Sequence, residues 1–304
     1  MNAPAAFALG ALGSAAAVFA AARLAPGLGL ADDPQRAPHR KVQAKPVPAV
    51  GGFGILAGLA VLECIASPLP GGPGAWGALL LAFALGTVDD RTRGGLPAPA
   101  LLLGQSVVAA ALLATGWRVC ADPPAPALVA SFLAVLAAIN AVNTFDNSDG
   151  AATALGILGL APGAALLAAP LAGFLPLNLS ARRGAPPVAY LGNAGSHVVG
   201  VLLVLDPVGR AALLLPALDL LRLAFVRLAA GSRPWIGDRR HLAHRLQKAG
   251  VSAPLAASIL AAIAAPAVLG ANAAQHANPA LLGAGIAATV LCFAAAVRFT
   301  PAAE

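Results

Sequence analysis

Charge is what this sequence has least of. Only 10% of its 304 residues are Asp, Glu, Lys or Arg, whereas ordinary soluble domains carry roughly 25%. Three cysteines, Cys64, Cys120 and Cys292, are odd in number and far apart, which excludes a disulfide framework or a cysteine metal motif. The alternation of polar and apolar residues that membrane β-strands require is also missing. These scarcities argue against both an ordinary soluble domain and a barrel of strands.

Apolar residues make up most of the chain instead. They account for 59% of it, and the mean hydropathy is +0.81. They come in long runs separated by short polar, proline-containing or glycine-containing breaks, and each run approaches the ~20 residues that a helix needs to cross a bilayer. The sequence predicts an all-α, polytopic integral membrane protein. We expect a single transmembrane domain over residues 1–304, with ten or eleven transmembrane helices embedded in the lipid bilayer.

The positive charges fall mainly in alternate loops. The net charge is +7, yet of nineteen Lys and Arg only Arg118 and Arg210 lie in the opposite set of loops. This asymmetry is the one expected of cytoplasmic loops in a multi-pass protein. It therefore predicts a multi-pass protein of the cell (inner) membrane whose basic loops face the cytoplasm. It gives no reason to expect a nucleic-acid partner.

Polar side chains gather where the apolar run 128–139 ends. Asn140, Asn143, Asp146 and Asp149 follow within ten residues, and Gly150 comes next. Polar groups at the end of a membrane helix are costly unless they hold something polar, so the stretch is a candidate functional site. The alternative is a solvated helix end with an Asx-type turn. Counting crossings places this stretch on the cytoplasmic side.

Other polar clusters are expected on the same face. One is the pair Asp89-Asp90, and another is the loop that contains Arg239, Arg240 and two histidines three residues apart. Carboxylate and amide oxygens suit Mg²⁺, whereas Arg, Lys and His suit phosphate oxygens. Taken singly, the acidic pair could be a solvated helix end and the basic loop a patch for anionic lipids.

The order and spacing of these clusters resemble the polyprenyl-phosphate N-acetylhexosamine-1-phosphate transferase family, over roughly residues 33–252. The matching segments are Arg40-Lys41 with Lys45-Pro-Val-Pro-Ala-Val-Gly-Gly52, Gly86-Thr-Val-Asp-Asp90, Asn140-Ala-Val-Asn143 with Asp146-x-x-Asp-Gly150, Gly173-Phe-Leu-Pro-Leu-Asn178, Leu191-Gly-Asn-Ala-Gly-Ser196, Pro216-x-x-Asp219, and Asp238-Arg-x-His-Leu-x-His-Arg-Leu246. The resemblance implies transfer of a sugar-1-phosphate from a UDP-sugar to a polyprenyl phosphate at the cytoplasmic face, with release of UMP, in synthesis of cell-wall, lipopolysaccharide or teichoic-acid polymers. A homodimer is compatible with the resemblance.

The resemblance also implies roles for particular residues. Asp89 and Asp90 would be catalytic and would orient or activate the lipid phosphate. Asn143 and Asn193 would be ligands of Mg²⁺, with Mn²⁺ as the alternative ion. The implied substrate-binding residues are Lys45, Asn140, Asp146, Asp149, Arg239, Arg240, His241 and His244.

Four positions depart from the family pattern. Gln43 replaces a usual His, Asn147 a usual Gly and Ala243 a usual His, while Asn193 replaces an aspartate that would ligate the metal. The retained carboxylates favour an enzyme. The loss of charge at residue 193 favours a second hypothesis, a catalytically weakened relative that binds lipid-linked intermediates or partner proteins. A transporter or channel is a more distant third.

Overall fold

Helices form nearly all of the structure, a computed structural model that describes residues 2–33, 45–120, 123–182, 185–233, 239–276 and 278–302. In chain order the helices are α1 Ala3–Leu28, α2 Gly51–Ala66, α3 Gly72–Arg91, α4 Ala98–Ala114, α5 Pro124–Phe145, α6 Ala151–Leu160, α7 Ala165–Asn178, α8 Gly192–Leu205, α9 Gly209–Ala212, α10 Leu214–Ala229, α11 Leu242–Lys248, α12 Ala253–His276 and α13 Ala280–Phe299. The predicted all-α membrane fold is confirmed.

Helix length divides this set. Among the described residues, α1, α5, α12 and α13 are long and apolar enough to cross a membrane, and five more apolar helices have 10–17 residues. The count of ten or eleven crossings would require several of these shorter helices to span the bilayer, so it stays a prediction. Pro162-Gly163 is one of the proline- and glycine-containing breaks between apolar runs, and it lies between the end of α6 at Leu160 and the start of α7 at Ala165.

Two helices extend further than the apolar runs indicate. Asp89 and Asp90 lie within the last turn of α3, and Asn140 and Asn143 lie within the last turns of α5. The apolar runs 75–88 and 128–139 predict that these residues follow their helices, and the structure corrects that. Since a membrane helix satisfies its own backbone groups, it continues through polar residues until turn chemistry stops it. Behind α5 that chemistry is the turn leading to Gly150, whose φ is +80°.

Helix α8 lies at the centre of the molecule. Every residue from Ala194 to Leu205 is buried, and the helix packs against α2, α3, α5 and α6. A helix that is apolar on all sides has to be surrounded by others. The N-terminal end of α8 is therefore the point to which its neighbours bring their polar ends.

A short strand pair leads the chain to that same end. Strand β1, Ala31–Asp32, pairs antiparallel with β2, Val47–Pro48. Beyond β2, Ala49 forms a parallel bridge with Tyr190, and the Gly51 N–H donates to the Tyr190 carbonyl at 2.9 Å. The start of α2 is thereby fixed beside the start of α8.

Candidate active site

The N-terminus of α8 is capped by a carboxylate from another helix. Asp90 of α3 accepts hydrogen bonds from the Asn193 N–H on Oδ1, at 2.9 Å, and from the Ala194 N–H on Oδ2, at 3.0 Å. The first N–H groups of a helix have no partner within it, and the helix dipole favours a negative charge there. Asp90 satisfies both demands across more than a hundred residues of sequence.

Two glycines allow the capping carboxylate to come close. A Cβ on Gly86 of α3 would lie 2.5 Å from the Asn193 carbonyl carbon, and one on Gly192 would lie 2.9 Å from Asp90 Oδ2. Gly192 also has a φ of +73°, a conformation that side chains with a Cβ rarely adopt. These contacts give the two glycines of the sequence motifs a structural reason.

A chain of side-chain hydrogen bonds continues from the cap into the site. The Asn193 amide donates from Nδ2 to Asp89 Oδ2 at 2.7 Å, and its Oδ1 accepts from Asn143 Nδ2 at 2.7 Å. Asn143 Nδ2 also lies 3.1 Å from the Ser196 hydroxyl oxygen, and Asp89 Oδ1 accepts the Leu96 N–H. The structure thus brings together Asp89, Asn143 and Asn193, which the sequence analysis places in one site. Both the oxygen and the NH₂ group of the Asn193 side chain are therefore engaged in hydrogen bonds.

The turn after α5 carries two carboxyl groups whose pKa values are raised. Burial, together with the charges of Asp149 and Asp90, raises the pKa of Asp146 to about 8. Burial raises the pKa of Asp149 to about 6. The mutual influence of these charges means that the turn and the acidic pair of α3 share one electrostatic site. At neutral pH this site would take up a cation or hold protons.

Asn178 holds this turn in place from α7. Its Oδ1 accepts the Gly150 N–H at 2.7 Å, and its Nδ2 donates to the Ala189 carbonyl at 3.1 Å. Asn178 is 2% exposed, so both bonds are shielded from water. Next to Ala189, burial and the charges of Asp149 and Asp146 raise the pKa of the Tyr190 phenol above its usual range. The chain's single tyrosine therefore borders the acidic turn.

Helix α11 brings the histidines to the same turn. Gln247 Nε2 donates to the Ser148 hydroxyl oxygen at 2.8 Å, and His244 Nδ1 lies 3.4 Å from Gln247 Oε1. The rings of His241 and His244 meet edge to face with centroids 6.2 Å apart. Burial lowers the pKa of the His244 imidazole. The helix that carries the histidines thus contacts the acidic turn.

The remaining predicted residues lie at varied distances from this centre. Arg239 and Arg240 are half-buried directly before α11, while Lys45 is exposed two residues before β2. Asn140 exchanges hydrogen bonds with Gln105 of α4, at 2.7 and 3.3 Å, so its amide is used between two helices; its substrate contact stays a prediction. The matched residues Arg40, Lys41, Gln43 and Asp238 lie outside the described residues.

The sequence analysis did not include several residues that build the site. Asn178 and Asp219 appear in the matched motifs without a role, and Ser148 and Gln247 carry no signal of their own. For Asp219 a signal exists, since a carboxylate inside an apolar run is costly unless it is paired. For Gln247 and Ser148, 99 residues apart, only the fold reveals the contact.

Magnesium is the ion that the resemblance implies for this site. Among the described residues, no group of three or more His, Cys, Asp and Glu side chains is arranged to hold a metal. Mg²⁺, however, commonly uses one or two carboxylates together with substrate phosphates. Asp146 and Asp149 fit this requirement, because a cation would favour the ionised form of Asp146, whose pKa is raised by burial and by the charges of Asp149 and Asp90. Asn193 fits less well, since its oxygen already accepts from Asn143.

Comparisons with known proteins give two relatives. A decaprenyl-phosphate N-acetylglucosaminephosphotransferase of Mycolicibacterium smegmatis is 27% identical, over 70% of this chain and 68% of that protein. A candidate glycosyltransferase of Streptomyces coelicolor is 32% identical, over 78% of this chain and 62% of its own length. The chain thus spans less than two thirds of the second relative. No protein-family model matches the chain.

Proposed function

We propose that this chain, which is similar to a decaprenyl-phosphate N-acetylglucosaminephosphotransferase and to a glycosyltransferase, transfers an N-acetylhexosamine-1-phosphate from a UDP-sugar to a polyprenyl phosphate. The reaction releases UMP and takes place at the cytoplasmic face of the cell membrane. Its product would serve the synthesis of cell-envelope polysaccharides.

One observation carries the proposal, namely that the acidic turn after α5 lies beside both the capping carboxylate of α3 and the helix that carries the histidines. Burial and the charges of Asp149 and Asp90 together raise the pKa of Asp146, and α11 contacts that turn through Gln247 and Ser148. A site of this kind offers oxygen donors for a cation and nitrogen donors for phosphate oxygens. Both are needed to bring two anionic substrates together.

The chemistry demands placement more than activation. A phosphate monoester has a second pKa of ~6 and is largely a dianion at neutral pH, so the lipid phosphate needs little help from a base. One of its oxygens attacks the phosphorus that bears the sugar. A new phosphorus–oxygen bond forms as the bond to the bridging oxygen breaks, and UMP leaves with that oxygen and its electron pair. No proton or redox partner is required.

The residues would divide this work. Arg239, Arg240, His241 and His244 would bind phosphate oxygens. The first N–H groups of α8 are occupied by Asp90, so they hold the helix in place and are not a phosphate site. Asp146 and Asp149 would hold Mg²⁺ together with the substrate pyrophosphate, and Asn143 and Asn193 would offer it neutral amide oxygens. The ion, or Mn²⁺ in its place, would supply charge neutralisation in the transition state.

Turnover of purified protein tests the proposal. The protein is incubated with polyprenyl phosphate, Mg²⁺ and a panel of UDP-sugars, and UMP is measured. Asp→Asn at Asp89, Asp90 or Asp149 should reduce UMP release by orders of magnitude, because a metal or anion clamp supplies several kcal/mol in the transition state and each ~1.4 kcal/mol is about tenfold.

Asp206→Asn is the matched control. Asp206 is also buried, at 7% exposure. It follows the last residue of α8, at the end opposite the site, and its Oδ2 accepts the N–H of Gly209, the first residue of α9. This variant should retain near-normal turnover. Full activity of Asp89→Asn, Asp90→Asn and Asp149→Asn would leave these carboxylates as mere helix-end residues and would refute the site.

The hydrogen bonds that join Asp89, Asn193 and Asn143 favour a second function, that of a weakened relative that binds lipid-linked intermediates or partner proteins. Asn193 donates to Asp89 and accepts from Asn143, which satisfies the site without a metal. For such a protein, no UDP-sugar would give UMP, although lipid-linked sugar phosphates would still raise its thermal midpoint. Turnover and thermal shift measured on one preparation distinguish the two functions.

A further inference from the structure

A buried ion pair on α10 clamps the entry to α11. Asp219 is 2% exposed, and its Oδ1 accepts from Arg222 Nε at 3.1 Å and Nη2 at 2.8 Å. A buried carboxylate is tolerated when it is paired and its remaining lone pairs accept hydrogen bonds. Here those lone pairs are directed to another segment of the chain.

That segment is the start of α11, held at three consecutive residues. Arg222 Nη2 donates to the Arg240 carbonyl at 2.6 Å. Asp219 Oδ2 lies 3.2 Å from His241 Nδ1 and accepts the Leu242 N–H at 3.3 Å. The Asp219–Arg222 pair therefore binds the Arg240 carbonyl, the His241 ring and the Leu242 N–H group.

The contact also fixes the tautomer of His241. An ionised carboxylate only accepts hydrogen bonds, so the proton in the contact with Asp219 belongs to Nδ1. Nε2 is then the ring nitrogen that remains for other interactions, and the orientation of the ring is set by the carboxylate. His241 itself is 5% exposed, so its ring has little room to rotate.

We propose that Asp219, paired with Arg222, is a positioning residue that holds His241 and the start of α11 in the geometry needed to bind substrate phosphate. Asp219 touches no substrate and acts through His241. The inference rests on the proposed transfer reaction for its functional consequence, whereas the clamp itself is a property of the fold.

The decisive variant is Asp219→Asn, because it keeps the size of the side chain. The amide oxygen can still accept from Arg222 or Leu242, but its NH₂ group cannot accept from His241 Nδ1. We expect turnover to fall about 10- to 100-fold, as is typical when the partner that orients a functional histidine is lost. Asp206→Asn, the buried carboxylate outside the site, should leave turnover within about twofold of wild type.

A double-mutant cycle separates positioning from general destabilisation. If Asp219 acts through His241, then Asp219→Asn should cost almost nothing further in a His241→Gln background. Losses that multiply would mean that Asp219 acts independently of His241, and they would overturn the proposal. Thermal midpoints of all variants establish that the folded protein is being compared.

Chemical modification gives a readout that needs no activity. Diethyl pyrocarbonate acylates unprotonated imidazole nitrogens, and peptide mass spectrometry reports its rate at each histidine. Asp219→Asn should raise the rate at His241 several-fold, while exposed His276 of α12 reacts equally in all variants and Asp206→Asn changes neither rate. An unchanged rate at His241 would refute the clamp. Absence of UMP release by wild type would refute the reaction, and the modification result would still decide the clamp.

Discussion

Among single residues, Asn193 links the carboxylate of Asp89 to the amide of Asn143. Its Nδ2 donates to Asp89 and its Oδ1 accepts from Asn143. An amide that donates to a carboxylate supplies part of the stabilisation that a cation would otherwise provide. A carboxylate in the same place would face Asp89 directly, and two like charges at that distance require a cation between them.

Asn193→Asp should therefore lower the Mg²⁺ concentration that gives half-maximal turnover. Hard divalent cations bind more tightly as the number of charged oxygen ligands rises, and we expect a shift of about tenfold, or ~1.4 kcal/mol. The maximal rate should rise or stay unchanged. The measurement is UMP release against Mg²⁺ concentration for both proteins.

Asn193→Ala is the comparison that isolates charge. It removes the same hydrogen bonds without adding a carboxylate, so it should not reduce the Mg²⁺ requirement. If wild type and Asn193→Asp gave superimposable Mg²⁺ curves, residue 193 would lie outside the metal's reach.

The carboxylates of the site were predictable from sequence, whereas most of their partners were not. Asp89, Asp90, Asp146 and Asp149 are conspicuous because charge is rare and costly in an apolar chain. Ser148 and Gln247 are ordinary polar residues, and nothing local links them. The capping of α8 by Asp90 was likewise hidden, since α8 lies 103 residues further along the chain.

At the scale of elements, the approach of α3 to α8 determines whether the site exists. The apolar run 75–88 predicts that α3 ends before Asp89. The structure continues the helix through Asp90, which directs that carboxylate at the N-terminus of α8. The distance between the two backbones is set by Gly86, where there is no space for a side chain.

Gly86→Ala should separate the two helices and weaken the Asp90 cap. Its methyl group would meet the backbone of Asn193 at 2.5 Å, and overpacking of this kind costs roughly 1–3 kcal/mol. We expect a lower thermal midpoint and a turnover reduced by about tenfold or more. Both are measured on protein purified in detergent.

Gly77→Ala, on the same helix, is the control. A Cβ there meets no atom within 4 Å, so the change should be neutral or stabilise the helix by up to about 1 kcal/mol. Equal effects of Gly77→Ala and Gly86→Ala would show that α3 responds to its own helix propensity and not to contact with α8.

At the scale of the whole molecule, the polar ends of α3 and α5 lie at the N-terminal end of α8. Loop charges predict that this end faces the cytoplasm, and Arg210, one of the two exceptions, binds the carbonyls of Val204 and Val119 at the other end. Apolar runs revealed the membrane class at once. They could not fix the number of crossings, because many of the helices are short and their packing partners decide their depth.

Cysteine labelling tests this orientation. In a background without the native cysteines, single cysteines at exposed Lys45 and Arg93 should be protected from an impermeant thiol reagent added to intact cells. Cysteines at exposed Pro73 and Pro123 should react. Permeabilised cells show that all four are reactive. Labelling of Lys45 and Arg93 from outside would invert the topology and remove the site from cytoplasmic UDP-sugars.

The cap that α3 gives to α8 also has a consequence for biosynthesis. At about 5–20 residues per second, a ribosome needs roughly 5–20 seconds to make the chain between Asp90 and its partners. During that interval α3 is already made, and its terminal carboxylate has no α8 to receive it. The nascent protein therefore carries an incomplete centre until α8 has been made and has reached the end of α3.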